Sequence, residues 1–398
     1  MQPLAHIRVL DLTNVLAGPF CCHQLAHMGA EVIKVEIPGS GDLARQLGAS
    51  PELNAKRMGV SFLAQNSGKK SITINMKTDE GKALFKKMVR SADVVVENFR
   101  PGVMDRLQLG YNDLLPENPA LVYCAISGYG QNGPMKDLPA YDQIIQGMSG
   151  VMHITGDQDS APLRVGYPIA DTIGGMTAAF AIAAALHKRE ENMGCFLDIS
   201  MLESVISTMG WVVSNYLVAG KSPQPMGNDN FTASPSGTFK TGDGLINIAA
   251  NKQEQFVAVC HVVGCPELED DPRFRHRQGR LEHRQALKAL LEEAMSSGSA
   301  AYWLEKFSAA GVPAGGVISV EEALAQEQIT SRGMIASFSD TPGVDGDIHL
   351  ARPGIKLNGE PIATTTPPPA LGQHTDTLLT EMGYSRANID DFKARGIV

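Results

Sequence analysis

The sequence predicts an α/β protein, with a large domain built on a doubly wound parallel sheet and a smaller α+β domain. Three observations carry this expectation. Short Val- and Ile-rich segments alternate with helix-length segments as far as Ser127. The rhythm breaks near Ala219, where Lys221 to Gly237 is crowded with Pro, Ser, Asn and Gly. A chain of 398 residues also exceeds the size of one ordinary domain.

In chain order, Ile7–Leu12 and Glu31–Ile37 read as buried strands, with a helix from Gly18 to Gly29 between them. A strand at Ser71–Met76 follows. Thr78 then caps a helix that carries Asp79 and Glu80 in its first turn, with Leu84, Phe85, Met88 and Val89 as its apolar face. Asp93–Asn98 and Leu121–Ser127 are the next strands. Beyond the break, Gly237–Thr241 and Leu245–Ala249 flank Gly242-Asp243-Gly244, a hairpin signal, and Leu281–Met295 is an amphipathic helix. The expected division is residues 1–220 plus 326–398 for the large domain and 225–325 for the small one. The tail after Gln326 has a short helix at Thr375–Met382 and no evident core, so it is expected to pack on the large domain.

The formal net charge of -9 argues against a nucleic-acid or anionic-membrane binder. The six cysteines show no C-x2-C zinc spacing, and in so long a chain they predict reduced, mostly buried thiols. Arg8 and Asp11 interrupt the first apolar stretch, which leaves no signal-peptide core. The longest near-apolar run, Met176–Leu186, is about half of a ~20-residue membrane span. A cytoplasmic protein with no membrane partner is expected.

Gly128-Tyr129-Gly130-Gln131-Asn132-Gly133 matches the dinucleotide fingerprint by letter and follows a strand. The fingerprint also needs a helix opening on its last glycine, whereas Pro134 to Pro139 is turn-rich, so a nicotinamide site is rejected. Asp171 precedes Thr172-Ile173-Gly174-Gly175 and an apolar helix that runs into His187-Lys188-Arg189. It reads either as a plain N-cap or as an aspartate kept ionised at a positive helix end, with two glycines leaving room for a ligand. Lys69, Lys70 and Lys77 bracket one strand, and Arg100 and Arg106 follow another. In an acidic protein, cations beyond the carboxyl ends of parallel strands suggest a phosphate-bearing ligand.

The chain resembles the class III (CaiB/BaiF-type) CoA-transferases in an ordered series of blocks. These include Val9-Leu10-Asp11-Leu12 with Gly18-Pro19, Gly29 to Glu36, Asn66 to Ser71, Val96 to Gly102, and Ser127 to Gly130. They continue through Pro139 to Asp142, Asp171-Thr172-x-Gly174-Gly175 and Leu371 to Thr375. The resemblance implies a Rossmann-like large domain, a small domain and two chains threaded through each other as an interlocked homodimer. It implies Asp171 as nucleophile, attacking an acyl-CoA to give an aspartyl anhydride and then an aspartyl-CoA thioester that hands CoA to a small carboxylic acid. Coenzyme A or acyl-CoA is then substrate, with no permanently bound cofactor and no metal.

By matching position, the resemblance implies CoA contacts at Leu16, Ala17, Ile74, Asn75, Met76, Lys77, Asn98, Phe99, Arg100, Arg106, Pro139, Ala140, Tyr141 and Asp142. Lys77, Arg100 and Arg106 would meet phosphates. Backbone N–H groups near Gly174 and Gly175 are expected to stabilise the oxyanions. Three departures stand out: Leu16 replaces a Gln of the formyl-CoA transferases, Phe231 to Gln255 lacks their glycine run, and Ile37 stands where Arg is frequent, with Arg45 as a substitute. The rival reading is an α-methylacyl-CoA racemase of the same family. Those enzymes carry His at the position of Tyr141, and His153 reads as structural, in a strand or turn, so transfer is favoured.

Overall fold

The computed structural model describes residues 2–188 and 193–398. Arg189, the last base of the expected helix end, lies outside the described residues. The chain forms two compact units, Met1–Val151 with Arg164–Lys221 and Gln328–Val398, and Met152–Leu163 with Ser222–Glu327.

In the first unit, β1 (Arg8–Asp11) leads into α1 (Ala17–His27) and β2 (Glu31–Glu36). Then come β3 (Lys69–Thr73), α2 (Asp79–Val89), β4 (Val94–Glu97), the short α3 (Val103–Arg106) and β5 (Val122–Ser127). The unit continues with α4 (Asp142–Met148), α5 (Ile169–Lys188), β6 (Cys195–Ser200) and α6 (Trp211–Ala219). The six strands are parallel in the order β3-β2-β1-β4-β5-β6. Both faces are covered, which is why the strands read as unbroken apolar runs. Along β4, Val95 joins the core that contains Leu84 and Phe85 of α2, while Val94 and Val96 join the core that contains Cys21 and Leu25 of α1 and Ile182 of α5. The strand expected at Ser71–Met76 starts two residues earlier, because Lys69 and Lys70 pair with Val32 and Ile33 of β2.

The tail packs where its sequence showed no core of its own. Leu378, Leu379, Ile389, Ile397 and Val398 fill the α2 side of the sheet. The hydroxyl of Thr375 accepts from Thr73 N–H at 3.1 Å, and His374 N–H donates to Ser71 at 2.9 Å, which covers part of edge strand β3.

The second unit contains the expected hairpin as β7 (Ser236–Lys240) and β8 (Leu245–Ala249), extended antiparallel by β9 (Ala314–Gly316). Phe239, Ile246, Phe256, Leu287, Trp303 and Phe307 are among its core residues. The helix expected at Leu281–Met295 is two, Arg277–Glu282 and Arg284–Met295, broken at His283. Its boundary also differs from the expected 225–325, because Met152–Leu163 belongs here. Leu163 N–H closes that segment onto Met152 and Thr155, and Gly227 N–H donates to Gly156 at 2.7 Å. His153 stands exposed in a one-turn helix, Val151–Ile154, not in a strand or turn.

One buried contact ties the tail to α1. His23 Nε2 lies 2.8 Å from Ser67 Oγ, which lies 2.7 Å from Thr364 Oγ1, and Thr364 N–H donates to His27 Nδ1 at 3.2 Å. Burial, with Arg352 and Lys69 nearby, pushes His27 down to about 4. A folded pKa below the free value means that the unfolded chain takes up the proton first as pH falls. His27 therefore contributes stability that is complete above about 6.5 and drains away between about 6.5 and 4, roughly 3 kcal/mol in all. Urea unfolding across that range is expected to show this loss, and the slope is expected to flatten in His27→Gln; an equal slope in both proteins overturns the assignment.

Candidate active site

The order of the sheet reverses between β1 and β4, and at such a point the loops leaving neighbouring strands diverge and open a crevice. The loop after β1 is held from below by buried charges. Asp11 accepts from Thr13 N–H at 3.0 Å and from Lys69 Nζ at 2.8 Å. Lys34 Nζ reaches Thr13 O at 2.7 Å and Asp42 at 2.9 Å, and Asp42 in turn accepts from Val15 N–H at 2.9 Å. Burial alone raises a carboxyl group, but Lys34 and Lys69 outweigh it and keep Asp11 below its ordinary value. Lys69 is thus sealed in the core, and Lys70 pairs with Glu31 at 2.6 Å, so neither is the ligand cation that its placement suggested.

Above this base, Asn98 bridges the two loops. Its Oδ1 accepts from Asn14 N–H and its Nδ2 donates to Asn14 O, both at 2.8 Å. Its side chain is thus held by the scaffold, and Asn98 itself borders the cavity behind it. Behind the bridge lies a cavity of about 240 Å³ whose wall includes Leu16, Ala17, Phe99, Arg100, Pro139, Ala140, Tyr141 and Asp171. Gly128 makes this possible, because a Cβ there would meet Ala140 Cβ at 2.3 Å. The Gly128–Gly133 loop runs into turns, and the next helix is α4 at Asp142, so no dinucleotide helix follows it.

Asp171 is not the N-cap. Helix α5 opens at Ile169, and its first amides are taken by a different carboxylate. Asp142 Oδ1 accepts from Ala170 N–H at 2.8 Å and from Asp171 N–H at 3.4 Å, while Oδ2 accepts from Gln146 Nε2 at 2.7 Å and lies 3.7 Å from Arg164. Asp142, expected among the CoA contacts, is buried, with its carboxylate taken up by the helix amides and Gln146. The carboxylate of Asp171 accepts no hydrogen bond among the described residues. Burial, then the charge of Asp142, pushes it up to about 7, against the expectation that the helix end keeps it ionised.

Gly174 and Gly175 also differ from expectation. They lie inside α5, where their N–H groups are used by the helix. A Cβ on Gly175 would meet Ala17 O at 2.4 Å, and one on Gly174 would meet Met201 Cγ at 2.7 Å. The glycines seat α5 against its neighbours and are not oxyanion donors. The amide of Ala17, first in α1, has no acceptor among the described residues and borders the same cavity as Asp171.

A second cavity, of about 320 Å³, shares Asn14 and Phe99 with the first. Ile37, Ile74, Asn75, Met76, Lys77, Val103 and Arg106 line it. Arg45 does not reach it. Its Nε and Nη2 bind the two oxygens of Glu36 at 2.7 and 2.8 Å, and its guanidinium lies 3.7 Å from the Phe62 ring centre, fully buried. The exposed side chain of Ile37 takes the place of the missing Arg. Lys77, Arg100 and Arg106 are exposed and make no ion pair among the described residues. Lys136, which sequence reasoning passed over inside a turn-rich loop, joins Arg100 at the Asp171 cavity.

The model of "CoA-transferase family III" matches residues 4–375. Succinyl-CoA:glutarate CoA-transferase of Mus musculus is 37% identical over 400 residues, covering 100% of this chain and 91% of that protein. Acetyl-CoA:oxalate CoA-transferase of Acetobacter aceti is 41% identical over 359 residues, 90% of each. The crystal structure of a CAIB/BAIF family protein from Brucella suis superimposes with a TM-score of 0.82 at 34% identity, covering 94% of this chain and 98% of that one. With its nearly full-length match and its six-stranded parallel sheet, the chain belongs to CoA-transferase family III and is a CoA-transferase.

Proposed function

We propose that Asp171 carries CoA between an acyl-CoA and a small carboxylic acid through covalent intermediates. The observation that bears the reading is its carboxylate, free of hydrogen bonds, in a cavity beside four cations that make no ion pair among the described residues, in two adjoining chambers. An Asp171 oxygen attacks the thioester carbonyl, the C–S bond breaks, and CoA leaves as thiolate from a mixed anhydride. The thiolate then attacks the Asp171 carbonyl and expels the first acid as its carboxylate, leaving an aspartyl-CoA thioester. The incoming carboxylate displaces thiolate from that thioester, and the thiolate returns to the new acyl carbon and frees Asp171. No net proton is consumed. The free Ala17 amide is the donor best placed by its position for the oxyanions.

Lys77 and Arg106 would hold phosphates beside an adenine resting on Ile37, Met76 and Phe99, while Arg100 and Lys136 serve the path to Asp171. Dicarboxylic acids such as glutarate or oxalate are the acceptors suggested by the relatives. Tyr141, 69% exposed, stands where the family's racemases carry His, which disfavours the racemase. A cytoplasmic, interlocked homodimer completes the reading. Its support is apolar surface: α5 leaves Met176 and Phe180 open, and α6 buries none of its residues.

Asp171→Ala is expected to lower CoA exchange by at least roughly 10⁴-fold, and hydroxylamine added with acyl-CoA is expected to convert Asp171 alone to the hydroxamate. Exchange at the native rate in that variant ends the proposal. Because the carboxylate form reacts, kcat/KM is expected to rise with pH through about 7 and then level off. Asp142→Asn keeps an acceptor for Ala170 N–H, removes the neighbouring charge, and is expected to move that rise to lower pH; an unmoved profile excludes Asp142 as its cause. Arg106→Ala is expected to raise KM for the acyl-CoA about 10- to 100-fold with kcat nearly unchanged, the scale of one charged hydrogen-bonded contact.

A further inference from the structure

A third cavity, of about 520 Å³, runs from Glu97 at the carboxyl end of β4 to Tyr123 and Phe196 near the amino ends of β5 and β6, on the other side of α3 from the chamber assigned to the nucleotide. Val103 and Leu107 face that chamber, Met104 and Asp105 face this cavity, and Arg106 borders both. Of its wall the reaction scheme uses only Arg106 and Lys136, which also border the other two chambers.

Its wall holds polar groups that the fold leaves unpaired. Tyr123 is only 2% exposed, fixed between Phe196 and Tyr111 with ring centres at 5.8 and 6.1 Å, yet its hydroxyl has no hydrogen-bond partner among the described residues. The Nε2 of Gln131 is likewise buried and unpaired, although Gln131 N–H is anchored on Asp198 at 3.0 and 3.1 Å. Glu97 accepts from Phe99 N–H at 2.7 Å, and burial, then Asp105, pushes it up to about 8, so at neutral pH it holds a proton to donate. A buried donor without an acceptor is unfavourable, and unpaired groups gathered on one cavity point to something that pairs them.

Tyr123, Gln131 and protonated Glu97 all donate, so the ligand must accept. Arg106 and Lys136 supply positive charge, balanced by Asp105 and Asp137 on the same wall. Such a lining suits one small monoanion better than a phosphate dianion. We propose that this cavity binds a small carboxylate, held by the Tyr123 hydroxyl and the Gln131 amide, at a site separate from Asp171.

The test uses the full chain with ¹³C-labelled tyrosine rings, the Tyr123 signal being assigned by its loss in Tyr123→Phe. Acetate is expected to shift that signal saturably, in the native chain and equally in Asp171→Ala, which separates this site from the reaction cavity. The apparent Kd is expected to rise at least tenfold in Gln131→Met, and inorganic phosphate is expected to leave the signal in place. No saturable shift with acetate, an unchanged Kd in Gln131→Met, or phosphate binding as tight as acetate overturns the proposal.

Discussion

The site depends on a substitution of one carboxylate for another at the start of α5. A helix end offers its first amides to a single anion, and here Asp142 takes them. Had Asp171 folded back to cap its own helix, its oxygens would be occupied and its charge stabilised, two properties that blunt a nucleophile. With Asp142 in that place, Asp171 carries an uncapped carboxylate, made more basic by burial and by a like charge nearby. Gln146 and Arg164 hold Asp142 in turn, so the electrostatics of the site are set one layer behind it.

The opposite wall is fixed by a different device. The loop from Thr13 to Ala17 has Val15 at a φ of 66°, a conformation that a β-branched residue adopts only under constraint. Asp11, Lys34, Asp42 and Lys69 supply that constraint through contacts to Thr13, Val15 and Pro19. Buried charges of this kind are costly to desolvate, and breaking one pair costs roughly 3–5 kcal/mol because its partner is stranded. Their return here is placement: they hold the Ala17 amide on the cavity that contains Asp171.

Much of this was legible in the chain. Strands covered on both faces leave runs such as Val94-Val95-Val96, and Thr78 with Asp79 and Glu80 marks a helix start that the structure reproduces, Thr78 accepting from Gly81 N–H. What stayed hidden depends on contacts distant in sequence. Nothing local distinguishes Lys69, locked onto Asp11 58 residues away, from Arg106, which has no ion-pair partner among the described residues. Asp171 stood out, but its true cap lies 29 residues upstream, so the N-cap rule pointed to the wrong carboxylate. Met152–Leu163 carries no composition shift, and only its pairing with Gly227 shows which unit it joins.

The same helix explains a feature that composition alone misreads. Over its 20 residues α5 is long and apolar enough to cross a membrane, although the Met176–Leu186 run by itself suggested otherwise. A core helix shows such composition when every side is covered, yet only a third of the most apolar stretch of α5 is buried, and Phe180 is 75% exposed. Its first turn carries Asp171, and Gly175 packs it closely against α1 over one face of the sheet. The open side of this anchored helix is apolar, and α6, with Trp211, Leu217 and Val218 exposed, repeats the pattern, the kind of surface on which protein interfaces form. The homodimer proposed above would cover both helices at once, and so would tie the assembly to the position of Asp171.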